Sequence, residues 1–231
     1  MSGVRRRAYV DLEALAATAS REAEALADAV ADVRADAYGH GLLAVAETLA
    51  QLGVRRFLVS RREDAEAVRS VGWTACSASD ENSAPALGLE LYGLHPVRQT
   101  PPVMRLQGEI LAVKPVPAAR GVSYGYTFRT VRPTTLALVG LGYADGILRA
   151  ASNTAPVRIG TRTATIAGRI AMDQLMVDVG DDAPQIGDPA TLFGDPEQDE
   201  PSVHEWARLL TVPAAQITSR LGRRIERIHL S

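Results

Sequence analysis

The spacing of apolar residues changes once along this chain, and that change limits its fold more than any other feature. Up to Gly72, short apolar strands alternate with helical stretches. Residues 4–10 read as a strand. Asp11 stands where a helix N-cap belongs, ahead of an Ala-, Leu- and Glu-rich stretch that runs to about Asp28. Val30 to Ala35 is a short apolar run, and Leu42–Leu52 is a helix with Gly53 as its C-cap. Phe57-Leu58-Val59 is the next buried strand, and Glu63 to Val71 the next helix, closed by Gly72. Strands and helices alternating over short connections predict a parallel sheet.

Beyond this the pattern is different. Ser77 to Pro85 is small and polar and reads as a junction, and Leu87 to Leu94 as a short apolar strand. From Pro102 onward the chain reads as all-β, with strands at Val103–Val113, Thr135–Leu141, Pro156–Ile159, Thr163–Ala171 and Leu175–Val179. Turns fall at Gly160, Gly180-Asp181-Asp182 and Gly187-Asp188-Pro189. Ser202 to Leu210 is a helix with Glu205 at the third position, close to a capping box. A short helix near Pro213–Leu221 and a strand at Ile225–Leu230 follow. The expected fold class is therefore α/β plus all-β.

Composition excludes several function classes. A formal charge of −2 gives no global attraction to nucleic acid or to an anionic membrane. Arg5-Arg6-Arg7 is followed by the alternation Ala8-Tyr9-Val10-Asp11 and reads as the solvated start of a strand. No long apolar stretch follows it, so neither a signal peptide nor a membrane span is expected. Cys76 is the one cysteine, which rules out an intrachain disulfide and suits a reducing cytoplasm. His40, His95, His204 and His229 have no metal-ligand spacing, so no metal site is expected.

The run Arg34-Ala35-Asp36-Ala37-Tyr38-Gly39-His40-Gly41 puts a cation at the carboxyl end of a strand, ahead of a glycine-bearing turn and a helix start. Free N–H groups at a helix N-terminus suit an anion. The same run also reads as a plain strand-to-helix turn, in which Tyr38 packs and Arg34 pairs with a carboxylate. Further blocks follow: Gly121-Val122-Ser123-Tyr124-Gly125, Leu141-Gly142-Tyr143-Ala144-Asp145-Gly146, Gly168-Arg169-Ile170-Ala171-Met172-Asp173-Gln174 and Ser219-Arg220-Leu221-Gly222. With Tyr9-Val10-Asp11-Leu12 and Leu91-Tyr92-Gly93-Leu94, these blocks resemble, in order, the alanine racemases of pyridoxal-phosphate fold type III. That family joins a TIM-like barrel to a β domain.

The resemblance implies a role for each matching residue. Arg34 stands where the family has the lysine that binds pyridoxal phosphate. A guanidinium stays protonated and cannot form the Schiff base that a neutral lysine amine forms. Tyr38 would bond the cofactor phosphate, and Tyr124 would be the second catalytic base. Tyr143, Met172 and Asp173 would line the substrate end; their alternative role is to stabilise turns. Where the family has an Asn-Tyr-Glu run whose tyrosine touches the phosphate, this chain has Ala214-Ala215-Gln216. Lys114, the one lysine, lies next to Pro115 in the β part and is a poor replacement.

Length sets the remaining limit. A (β/α)8 barrel takes about 200–250 residues, and the part before the β domain is residues 1–95. The expected organisation is an N-terminal strand with a truncated barrel on 1–95 and a racemase-type β domain on 96–231. The resemblance then implies that the barrel's middle is absent, and with it the arginine that in the family faces the pyridine nitrogen and much of the phosphate cup. The family reaction interconverts L- and D-alanine for cell-wall synthesis. The expectation here is a racemase-like protein that is inactive alone, in a homodimer or a heterodimer with a full-length alanine racemase. Two alternatives stand beside it: an active pyridoxal-phosphate racemase with an atypical site, and an eroded remnant.

Overall fold

A computed structural model describes residues 3–22, 25–80 and 87–231. The chain divides into two compact units. Unit 1 comprises Met1–Ala8, Arg105–Pro213 and Arg220–Glu226, and unit 2 comprises Tyr9–Met104, Ala214–Ser219 and Arg227–Ser231.

The chain begins with β1 (Arg6–Asp11) and α1 (Leu12–Glu22). The Asp11 carboxylate accepts the Ala14 N–H at 2.8 Å, so α1 starts at the expected cap. It is described as far as Glu22, and turn bonds from the Asp28 N–H to the Ala25 carbonyl and from the Ala29 N–H to the Leu26 carbonyl lead the chain into the next strand, so the helix does not run to Asp28. Then come β2 (Val30–Asp32), α2 (Arg34–Gly39), α3 (Leu42–Gln51), β3 (Arg56–Leu58), α4 (Arg62–Ser70) and β4 (Thr74–Cys76). Helix α3 buries Leu42, Val45, Ala46, Leu49 and Ala50, the i, i+3, i+4, i+7, i+8 stripe of one helix face. Both α3 and α4 end in a Schellman turn on a left-handed glycine. Val54 N–H returns to the Leu49 carbonyl past Gly53, and Trp73 N–H to the Val68 carbonyl past Gly72.

Strands β2, β3 and β4 form a parallel sheet in that order. On the other side of β2, Leu87 makes a parallel bridge to Ala31. Among the described residues the outer edge of β4 has no strand beside it. The expected strand Leu87–Leu94 is a correction: only Leu87 pairs, and Leu89–Tyr92 is a 3-10 turn ending at Gly93. The Glu90 carboxylate accepts the Gly88 N–H at 2.6 Å and folds the chain back at this point. A Cβ at Gly93 would lie 2.5 Å from the Pro101 carbonyl oxygen, so only glycine fits there. The expected junction Ser77–Pro85 is described only as far as Asp80; its remaining residues lie outside the described ones.

The β half holds β5 (Met104–Val116), β6 (Gly121–Val122), β7 (Phe128–Arg129), β8 (Thr134–Val139), β9 (Pro156–Ile159), β10 (Arg162–Thr165), β11 (Leu175–Gly180) and β12 (Pro189–Phe193). Helices α5 (Val203–Leu210) and α6 (Ala214–Thr218) and strand β13 (Glu226–Leu230) complete the chain. The main sheet runs β10-β9-β12-β5-β1-β13, with β8 paired to β5 and β11 to β8. Of strand β12 the sequence reading covers only Pro189, as the end of the Gly187-Asp188-Pro189 turn, and assigns no element to Ala190–Phe193. Pro189 opens it, a position where proline is tolerated, and Ala190 to Phe193 are all buried, so no alternation marks the strand. Strand β10 ends at Thr165 rather than Ala171, because the chain turns at Gly168 (φ 82°). Helix α5 starts as its sequence predicts: Ser202 Oγ accepts the Glu205 N–H at 2.9 Å. It buries Trp206, whose Nε1 donates to the Pro156 carbonyl at 3.1 Å.

Candidate functional site

In unit 2, β2 ends at Asp32 and the chain enters a left-handed turn. Ala35, Asp36, Ala37 and Tyr38 have φ of 53°, 58°, 52° and 53°. Each such residue costs about 1–2 kcal/mol for an L-amino acid, so side-chain bonds must hold the turn. Most of them converge on Asp32, which is 2% exposed. Its Oδ1 accepts the Arg34 backbone N–H at 3.2 Å and Arg34 Nε at 2.9 Å, and its Oδ2 accepts Arg34 Nη2 at 2.5 Å. The Tyr38 hydroxyl donates to the same Oδ2 at 2.6 Å. Tyr92 donates to the Asp32 carbonyl at 2.8 Å, and its ring packs 5.3 Å from that of Tyr38.

The electrostatics follow from this packing. The bonds to Asp32 raise the Arg34 pKa beyond its ordinary value. Burial, helped by the Asp32 bond, pushes the Tyr38 phenol up to about 12. His40 is fully buried, and that pushes its imidazole down to about 4. Its Nδ1 lies 2.9 Å from the Ala37 carbonyl, to which the neutral ring donates. The turn is backed by α6, since a Cβ at Gly39 would lie 2.2 Å from the Thr218 carbonyl oxygen. The sequence suggested free N–H groups for an anion at the start of α3. Instead the Asp36 carboxylate takes the Leu42 N–H at 2.8 Å.

In unit 1 three turns carry the remaining candidates. Tyr124 lies on a 3-10 turn, Tyr124–Tyr126, and is 70% exposed. Ser123 Oγ anchors this turn by donating to the Arg169 carbonyl at 2.5 Å. Tyr143 opens the turn Tyr143–Asp145, and Met172 and Asp173 lie at the tip of a turn closed by the Ala171 N–H to the Gln174 carbonyl at 3.0 Å. These last two turns are bonded to each other, Tyr143 N–H to the Ala171 carbonyl at 3.0 Å and Ala144 N–H to the Met172 carbonyl at 2.9 Å. A Cβ at Gly142 would lie 2.3 Å from the Met172 carbonyl oxygen, so the close approach needs glycine. The structure thus brings Tyr143, Met172 and Asp173 together, with Tyr124 tied to the same segment through Arg169.

Three residues of this arrangement were given no role from the sequence. Asp145, fully buried, accepts the Gly142 N–H at 2.8 Å and faces Arg6 Nε at 3.3 Å and Arg224 Nε at 3.1 Å. Arg224 also donates to Asp173 Oδ1 at 2.6 Å. Asp32 is the third, and its one signal is a carboxylate inside the apolar run Val30–Ala35.

The residues present do not fit covalently bound pyridoxal phosphate. Arg34 holds no reactive amine and is bonded to Asp32, and the Tyr38 hydroxyl is bonded there too. Ala215, which the resemblance sets against the family's phosphate tyrosine, offers a methyl group. Lys114 is exposed on β5, opposite Leu136 in the ladder to β8.

The family model for the C-terminal domain of alanine racemase matches residues 103–229, and that for the N-terminal domain matches residues 10–96. The alanine racemase of Streptomyces coelicolor is 43% identical over 152 residues, which are 62% of this chain and 39% of that protein. That of Thermobifida fusca is 45% identical over 147 residues, with the same shares. The chain therefore spans about two fifths of the length of the curated relatives it matches. Among solved structures, the alanine racemase of D-cycloserine-producing Streptomyces lavendulae has a TM-score of 0.86 at 24% identity, covering 100% of this chain and 98% of that one. The Bartonella henselae enzyme, solved with covalently bound pyridoxal phosphate, has a TM-score of 0.82 at 20% identity, covering 99% and 100%. Members of this family use pyridoxal phosphate. With a parallel barrel segment, a β half and both domain matches in order, the chain belongs to the alanine racemase family.

Proposed function

We propose that this chain does not racemise alanine alone and instead pairs with a full-length alanine racemase, completing one of that enzyme's sites. One asymmetry carries the reading. The turns of unit 1 are intact, with Tyr124, Tyr143 and Met172 exposed at 70%, 41% and 53%. Position 34 in unit 2 holds a guanidinium locked to Asp32. In the family the tyrosine base and its Met-Asp neighbours serve the cofactor held by the other subunit's barrel, and those are the elements this chain retains. Tyr124 would supply or remove the α-proton from the face opposite the partner's lysine. Tyr143, Met172 and Asp173 would shape the substrate end. The chain's own barrel would leave the second site of the pair dead.

The test is co-expression with a full-length racemase that carries phenylalanine in place of its own tyrosine base. Adding this chain is expected to restore racemisation, to roughly half the normal activity if one site in two is active, and its Tyr124→Phe variant is expected to restore none. Failure of the two proteins to co-purify at micromolar concentration would end the proposal and favour an eroded remnant.

A further inference from the structure

Position 34 differs from a reactive site by more than its own side chain. Val30, Ala31 and Val33 are at most 2% exposed and apolar, and between them lies Asp32, equally buried. A carboxylate in such a place is retained only when its oxygens are bonded. Here they accept four N–H or O–H groups, three from Arg34 and one from Tyr38.

We propose that Asp32 decides the chemistry of position 34: its buried carboxylate commits whatever cation stands there to a structural ion pair, so the place of the family's nucleophile is held by a buried acid of unit 2. This rests on the reading that Arg34 occupies the lysine's place.

Two consequences follow. The first is that restoring the amine does not restore the nucleophile. Joining an amine to an aldehyde needs the nitrogen lone pair: the C=N bond forms, the nitrogen loses its protons and the carbonyl oxygen leaves as water. An ammonium bonded to Asp32 has no lone pair to offer. The second is that Arg34 now supports folding, because its removal leaves a buried unpaired charge.

The test uses the full chain as Arg34→Lys and as Asp32→Val/Arg34→Lys. Each is incubated with pyridoxal phosphate and reduced with borohydride, which donates hydride to the C=N carbon. Labelling of residue 34 is then read by peptide mass against Lys114, the exposed lysine that every variant carries. The ratio is expected to be at least tenfold higher in the double variant, and equal ratios overturn the proposal.

If the lysine variants do not fold, Arg34→Met and Asp32→Val/Arg34→Met decide it in urea. The single change is expected to lower the folding equilibrium constant by about thirtyfold or more, and the double to recover it to within about tenfold. No loss in the single variant, or a loss the double does not reverse, overturns the proposal. Racemisation by the unsubstituted chain alone would sink the proposed function instead, and would leave this comparison standing.

Discussion

At the residue scale, the guanidinium of Arg34 is chemically idle as a nucleophile and structurally engaged. Mixing the purified chain with pyridoxal phosphate is expected to give no borohydride-fixed adduct at residue 34, and a labelled peptide there would refute this. Arg34→Lys alone is expected to show no alanine racemisation in a coupled assay, because the Asp32 carboxylate remains to hold the new ammonium and Ala215 offers no hydroxyl. The substitution at 34 was legible in the sequence because it sits inside a recognisable run. Its partner was not, because a single Asp in an apolar run signals neither its burial nor what it bonds. His40 adds a pH effect. It is neutral in folded unit 2 with a pKa of about 4, against about 6.5 when unfolded. Above pH 6.5 neither state binds the proton, and the full stability is present. As pH falls from about 6.5 to about 4, the unfolded chain gains a proton that the folded one resists, so stability declines, by about 3 kcal/mol at the lower end. His40→Leu is expected to flatten that part of the profile in urea unfolding measured from pH 7 to 4; an unchanged slope would show that other groups cause it.

At the element scale, helix ends were the most legible feature. Asp11, Gly53, Gly72 and Ser202 act by local bonds within a few residues, so their effect is written in adjacent sequence. Strand β12 goes unmarked in the sequence, and the turn Leu89–Tyr92 reads there as a strand, because what decides them is distant. Ala190 to Phe193 form a strand because β9 and β5 lie on either side. The turn stands where Glu90 and the close approach of Pro101 to Gly93 fold the chain. The contact between the Tyr143 and Met172 turns gives a prediction at this scale. Gly142→Ala would drive a methyl group into the Met172 carbonyl and is expected to cost about 1–3 kcal/mol. A calorimetric Tm should fall by several degrees, and the rescue by this chain in the co-expression assay should fall with it. An unchanged Tm would mean that the two turns separate easily.

At the scale of the whole molecule, the two units differ in the size of their sheets. The parallel sheet of unit 2 has three strands and, among the described residues, none beyond β4, while in unit 1 β8, β9, β11 and β12 pair antiparallel with β5 or with one another. Unit 2 is therefore expected to be the labile part. Limited proteolysis should cut first within residues 77–85 and then degrade residues 11–95, leaving the β half as the resistant core. Early loss of the β half with residues 77–85 intact would contradict this. The sequence by itself determined the order of strands and helices, the parallel and all-β halves, and the arginine at position 34, because spacing and local bonding are properties of neighbouring residues. Only the tertiary structure decided what became of the charges. Asp145 meets Arg6 from the start of the chain and Arg224 from its end, and Asp32 is sealed under Tyr92. Burial makes those pairings obligatory, and burial depends on segments that the sequence keeps far apart.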